Sequence, residues 1–329
     1  MKKLLVPAAL LLVWASAQAA PPSGGATKYE FSSAVTAIQF EGISGNISIV
    51  PAEGTSGEVK LRASVRPSRN FRPEVEQDGN TLYISEHWES GSSNGSVDWL
   101  IYLPKTQKPL RIKVSTASGE LICKDINARI SFSTASGNIE LTGVALGDGS
   151  NLSTASGDII LHNMTVDEGS EFSTASGDVE LEGVTISEGC GFSTASGNVR
   201  STGCKGYFEL SSASGNVEVR DCEVAGRSKF STASGGVNLY LTRLPDGNMT
   251  ASSASGDVRL DVAEFGDNFT LVLVAREDGG EISCPFDYTS EDTYEDGQGN
   301  VYEEKIVERG TGRPEISLST ASGEVVVKE

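Results

Sequence analysis

The pentapeptide Ser-Thr-Ala-Ser-Gly begins at Ser115, Ser133, Ser153, Ser173, Ser193, Ser231 and Ser319, and recurs with Ser in place of Thr at Ser211 and Ser252. Successive copies start 18, 20, 20, 20, 18, 20 and 21 residues apart, and 67 residues then precede the last one. A period this regular makes each copy one supersecondary unit stacked on the next, as in a solenoid or array.

Aligned on the word, the copies share apolar columns. Two residues past the Gly stand Leu121, Ile139, Ile159, Val179, Val199, Val217, Val237, Val258 and Val325, and the position two further on is apolar except at Ser201. Residues between these columns are mostly polar, which is the period of a strand with one buried face. A second apolar column precedes each word (Phe132, Leu152, Phe172, Phe192), and a third follows the strand (Val144, Met164, Val184, Cys204, Cys222). Three short inward-facing segments per copy predict an all-β, parallel β-helix or solenoid of roughly 20-residue coils, with strands about 4.8 Å apart. The rule for parallel crossovers makes it right-handed. An alternative puts Ser-Gly at a two-residue hairpin turn and turns each copy into an antiparallel ribbon.

Within the coil, the word itself reads as a corner. Alternation sends its first Ser outward and its Thr inward, and Ala-Ser-Gly supplies small residues and a permissive backbone. Outward charges also stack: Arg200 falls between Glu180 and Glu218, whereas Asp158 above Asp178 sets two carboxylates at strand spacing, which a cation, water or protonation must relieve.

The N-terminus carries Lys2 and Lys3, an apolar run from Leu4 to about Trp14, and the small-residue pattern Ala17-Gln18-Ala19. This is the pattern of a secretory signal peptide cleaved after Ala19, so the chain is expected to be exported to a periplasm, a cell surface or the medium. No later segment has the roughly 18 consecutive apolar residues of a membrane helix, so no membrane insertion is expected after cleavage. The formal charge of −19, about −21 once Lys2 and Lys3 are lost, would repel nucleic acid and anionic membranes.

Chemistry-bearing residues are sparse. His87 and His162 have no companions that would make a nucleophile and base, and the serines are too repetitive for one to stand out. Asp158 and Asp178 could be weighed as the acid and base of a polysaccharide-cleaving enzyme, but the even repeat spacing leaves no long loops to build such a site. The segment Asp292 to Glu303 places carboxylates at loop positions one, five and twelve with Gly297 at six, as a calcium-binding EF-hand loop would, yet Tyr294 occupies a ligand position and Pro285, Gly279 and Gly280 oppose a preceding helix. Cys204 and Cys222 share an inward column in adjacent copies, compatible with either a disulfide or a pair of buried thiols. No catalytic, cofactor-binding or metal-binding residue is therefore assigned.

Before the repeats, FEGISGNISIV at Phe40 to Val50 looks like a worn copy of the unit, and VKLRASV, TLYISEHW and VDWLIYLP alternate as strands that would cap the stack. The ISGNISI start, the TLYI strand, WLIYLP leading into RIKVSTASGEL, the serial SG[DN][VI] copies and the closing RGTGRPEISLSTASGEVVV together resemble the DUF4097 family of exported bacterial proteins, loosely called adhesins. The resemblance implies a β-solenoid-like scaffold and carries over no catalytic residues. The resulting division is a signal peptide at 1–19, an N-terminal β cap region at 20–113, the repeat solenoid at 114–260, and an acidic insert with a closing repeat coil at 261–329. The expected function is a noncatalytic envelope or surface protein, adhesin-like, presenting its repetitive face to an envelope polymer, glycan or protein. The alternatives are a passive scaffold or spacer and, behind it, a polysaccharide-active enzyme.

Overall fold

A computed structural model describes residues 26–89, 94–104 and 109–329; the signal-peptide segment lies outside the described residues. Strands dominate, and the only helical element among the described residues is a three-residue 3-10 turn at Ser68–Asn70.

One central coil shows how the sequence period becomes structure. The strand Asn151–Thr154 buries Leu152 and Thr154, the corner 155–158 follows, and Ile159–His162 then buries Ile159 and Leu161 on a second face. A left-handed residue turns the chain into the two-residue strand Thr165–Val166, and the corner 167–170 returns it to Glu171–Thr174 on the first face. That left-handed position holds Asp125, Gly143, Asn163, Gly183, Gly203 and Asp221 in successive coils, all between φ 49 and 64. Glycine, Asn and Asp are the residues that tolerate this region, so the column varies in identity and not in conformation.

Every coil-to-coil pairing in the repeats is parallel and in register on the word: Ser133 pairs Ser153, Ser153 pairs Ser173, and Ser173 pairs Ser193. The parallel coil therefore holds and the antiparallel ribbon does not. Phe132, Leu152, Phe172, Phe192, Leu210 and Phe230 form a fully buried ladder, with the rings of Phe172 and Phe192 stacked 4.7 Å apart.

Both ends of the stack are built out of sequence order. Ala37–Glu41 lies between Thr81–Trp88 and Leu110–Ser115, so the worn copy sits directly beneath the first word, with Phe40 paired to Val114. Antiparallel neighbours at this end, Gly57–Arg66 against Asn94–Leu103 and Phe71–Asp78 against Thr81–Trp88, cover what would be bare sheet edges. At the far end Glu315–Thr320 slots between Met249–Ser253 and Phe269–Arg276, so Ser319 stacks on Ser252 as though 67 residues did not intervene. The outermost strands there come from the insert: Phe269–Arg276 pairs Val301–Arg309, which pairs Ser290–Glu295, both antiparallel.

Candidate functional site

The word's Thr is the centre of a buried relay. Thr154 Oγ1 accepts from the Gly157 N–H at 3.1 Å and donates to the Gly137 carbonyl of the previous coil at 2.9 Å, and Thr174, Thr194 and Thr232 repeat both bonds. Where the word reads Ser-Ser, Ser212 and Ser253 supply the same hydroxyl.

The word's Gly corrects one part of the sequence reading. None of Gly137, Gly157, Gly177 and Gly197 has a positive φ, so conformational freedom is not what they provide. A Cβ at any of them would collide with the carbonyl oxygen of the equivalent Gly one coil back. The corner needs glycine for close backbone approach between coils.

The residue after each Gly forms a further ladder. The Asp178 N–H donates to Asp158 Oδ1 at 2.9 Å, the Asn198 N–H to Asp178 Oδ1 at 2.7 Å, and the Asn216 N–H to Asn198 Oδ1 at 3.0 Å. Stacked Asp158 and Asp178 are thus relieved by main-chain donors and by Arg200, whose Nη1 lies 2.6 Å from Asp178 Oδ2 and 3.3 Å from Glu180 Oε1. Partial burial pushes the Asp178 carboxyl up, but the Asn198 N–H and the Arg200 guanidinium outweigh it and hold it below the usual value. Asp158 Oδ1 and Asp178 Oδ1 are thus committed to the corner, and Asp178 Oδ2 to Arg200.

The two histidines stand apart. His162 Nδ1 lies 3.1 Å from Glu182 on the next coil. Ser85, His87 and Glu74 do meet at the N-terminal end, which the sequence reading missed, but Ser85 Oγ at 3.2 Å and Glu74 Oε2 at 3.0 Å both approach the same nitrogen, Nε2. A relay needs the carboxylate on the other ring nitrogen, so this trio does not have triad geometry.

Asp292 to Glu303 is not an EF-hand loop. Asp292 lies in Ser290–Glu295 and Glu303 in Val301–Arg309, the two arms of a β-hairpin. Asp296 is committed to the turn, accepting from the main chain of Gln298 and Asn300 and from the Asn300 side chain. Among the described residues no three His, Cys, Asp or Glu side chains converge as metal ligands.

What the hairpin builds instead is a groove. Tyr294 and Tyr302 are cross-strand partners, and their rings stack 5.5 Å apart at 16°. With Val274 they wall a cavity of about 910 Å³ whose floor is the Ser, Thr and Ala of the words at Ser193, Ser211, Ser231, Ser252 and Ser319. Five coils at strand spacing make a floor roughly 20 Å long. Tyr294 is 46% exposed, and burial together with Glu304 pushes its phenol up, so it stays a hydrogen-bond donor at neutral pH. Lys305, mostly buried, ties the arms together through Glu291 on the facing strand at 3.6 Å and also lies 2.9 Å from Glu303 on its own strand. A sequence signal for this pairing existed: DGQGN is hairpin-turn chemistry, and the two tyrosines are equidistant from Gln298.

Of the five cysteines, all are free; Cys204 and Cys222 are buried. The Cys204 N–H donates to Cys222 Sγ at 3.3 Å, and the Val184 N–H to Cys204 Sγ at 3.3 Å. A hydrogen bond between the two thiols pulls Cys204 down and, with burial, pushes Cys222 up.

In-register parallel coils capped by antiparallel strands define a β-solenoid whose long face ends under an aromatic hairpin. The chain belongs to the family described as Toastrack DUF4097, which matches residues 35–270. It is similar to a "putative cell adhesion protein" from Clostridium sporogenes at 11% identity, with 92% of this chain and 99% of that chain covered and a TM-score of 0.22. A second similar structure, a "putative lipid binding protein" from Parabacteroides distasonis, shares 15% identity over 93% of this chain and 97% of that chain, with a TM-score of 0.38. No curated protein matches.

Proposed function

We propose that this chain is a noncatalytic, exported envelope or surface protein of adhesin type, which holds an extended neutral glycan along the groove beneath Tyr294 and Tyr302. The observation that carries this reading is the pairing of a periodic hydroxyl floor with a stacked aromatic wall. Sugars present hydroxyl edges and apolar faces, and Ser hydroxyls with tyrosine rings complement both. A floor that repeats at each coil adds weak contacts along a polymer, so affinity grows with chain length. The ten carboxylates between Glu277 and Glu304, with no Lys or Arg among them, favour a neutral glycan over an anionic one.

The test is co-sedimentation of the mature protein with insoluble neutral polysaccharides and with envelope polymer, beside a Tyr294→Ala/Tyr302→Ala variant. Saturable retention that the variant loses supports the groove. Retention unchanged in the variant removes the groove from the binding site, and no retention on any polymer overturns the reading.

A further inference from the structure

Far from the hairpin, on the outward face of the first coils, the charge pattern inverts. Arg111 pairs in register with Arg129, and Lys113 lies two residues on from Arg111 on the same face, paired with Ser131 and Gln39. Like charges directly opposite on neighbouring strands are unfavourable, and elsewhere on this surface outward Arg residues such as Arg200 and Arg220 have carboxylate partners. Arg111, Lys113 and Arg129 make no side-chain ion pair or hydrogen bond among the described residues.

These three cations line a cavity of about 390 Å³ that also takes in Gln39, Asn80 and Thr81, and no carboxylate contributes to its wall. Every polar side chain there can donate a hydrogen bond. Ala37, paired to Thr81 on one side and Arg111 on the other, leaves the depression that a longer side chain would fill. In a chain of formal charge −19, a pocket that gathers three cations without an acid is a local exception with a physical cost.

We propose that this pocket binds a phosphate monoester of a small organic molecule. Two guanidinium forks and an ammonium match the oxygens of a tetrahedral dianion. The cavity lies within the size range of small-molecule sites, so it has room for the organic part of the ester beyond the anion itself. The strongly negative remainder of the chain opposes approach to an anionic bilayer, which favours a soluble or polymer-borne ester over a lipid headgroup.

Calorimetric titration of the full mature chain tests this with glucose 6-phosphate, with glucose, and with inorganic phosphate, while phosphatidic acid vesicles are tested by flotation. The expected result is saturable binding of glucose 6-phosphate that weakens with added salt, no binding of glucose, and weaker binding of inorganic phosphate. Arg111→Gln/Arg129→Gln should weaken binding at least tenfold while its urea midpoint stays equal or rises, because the two cations stand in register and have no carboxylate partner among the described residues. Tyr294→Ala/Tyr302→Ala should bind glucose 6-phosphate as the parent does, which separates this site from the glycan groove. Absence of glucose 6-phosphate binding, or full affinity in the Arg variant, overturns the proposal. Flotation with vesicles without glucose 6-phosphate binding overturns it in favour of a lipid headgroup.

Discussion

Thr174 Oγ1 donates to the carbonyl oxygen of Gly157, one coil back, at 2.8 Å. Thr174 Oγ1 itself accepts from the Gly177 N–H at 3.1 Å, so one hydroxyl closes its own corner and fastens it to the corner below. Thr174→Val keeps the shape and leaves two buried main-chain groups without a partner, at an expected cost of about 1–3 kcal/mol in urea unfolding. Thr174→Ser should cost well under 1 kcal/mol, because Ser212 and Ser253 already serve in this role. A Val variant as stable as the parent beside a Ser variant that loses stability would show that the methyl packs and the hydroxyl is idle.

Gly177→Ala is expected to cost at least about 1–3 kcal/mol, since its Cβ collides with the Gly157 carbonyl and two coils must separate to admit it. Gly169→Ala would be strained for a different reason, a φ of 66 with open space around it, and should cost less. Thermal unfolding of the pair separates steric from conformational need for glycine.

Asp178 has a folded-state carboxyl below its ordinary value, and Asp257 is lowered too, by the Glu324 N–H first and Arg259 besides. A depressed carboxylate contributes stability that is complete above its unfolded value, near about pH 4, and is lost as pH falls through the folded value. Asp178→Asn keeps the acceptor for the Asn198 N–H and removes the charge facing Arg200. Its urea midpoint should therefore fall less than the parent's between pH 7 and pH 3; an equal fall would exclude Asp178 from the acid sensitivity.

Tyr294→Ala/Tyr302→Ala should reduce glycan retention about tenfold or more, the scale of removing central aromatic anchors, while leaving the melting temperature of the solenoid nearly unchanged. Circular dichroism melts beside the binding isotherms check this. A collapsed melting transition would assign the ring pair to stability.

Thiol titration tests the cysteine column. All five thiols are expected to titrate in denaturant, and in the native protein only Cys284, which is half-buried, should react promptly. Cys204 is pulled down in pKa but sits under its coil, so access and not ionisation limits its reaction. Three titratable thiols in denaturant would instead indicate a Cys204–Cys222 disulfide.

The sequence alone determined a stack of repeating all-β units, because identical words at a fixed period put Phe132, Leu152, Phe172 and Phe192 on one line; that the units pair as parallel coils and not as antiparallel ribbons was decided by the strand pairings. It also determined that the word's Thr points in and its first Ser out, since strand alternation follows from a single buried neighbour. Why the Gly cannot be replaced was not legible: its obstacle is a carbonyl some 20 residues away, and local sequence speaks of φ before it speaks of neighbours. The same limit hid the groove. Tyr294 and Tyr302 gain a floor only because Glu315–Thr320 inserts between Met249–Ser253 and Phe269–Arg276, which carries the hairpin to the end of the word ladder. Arg111 and Arg129 likewise read as two scattered charges until register sets them side by side. Periodicity is a property of the chain, whereas sites that join distant segments are decided by which edges pair, and that is settled only when the whole stack buries its core.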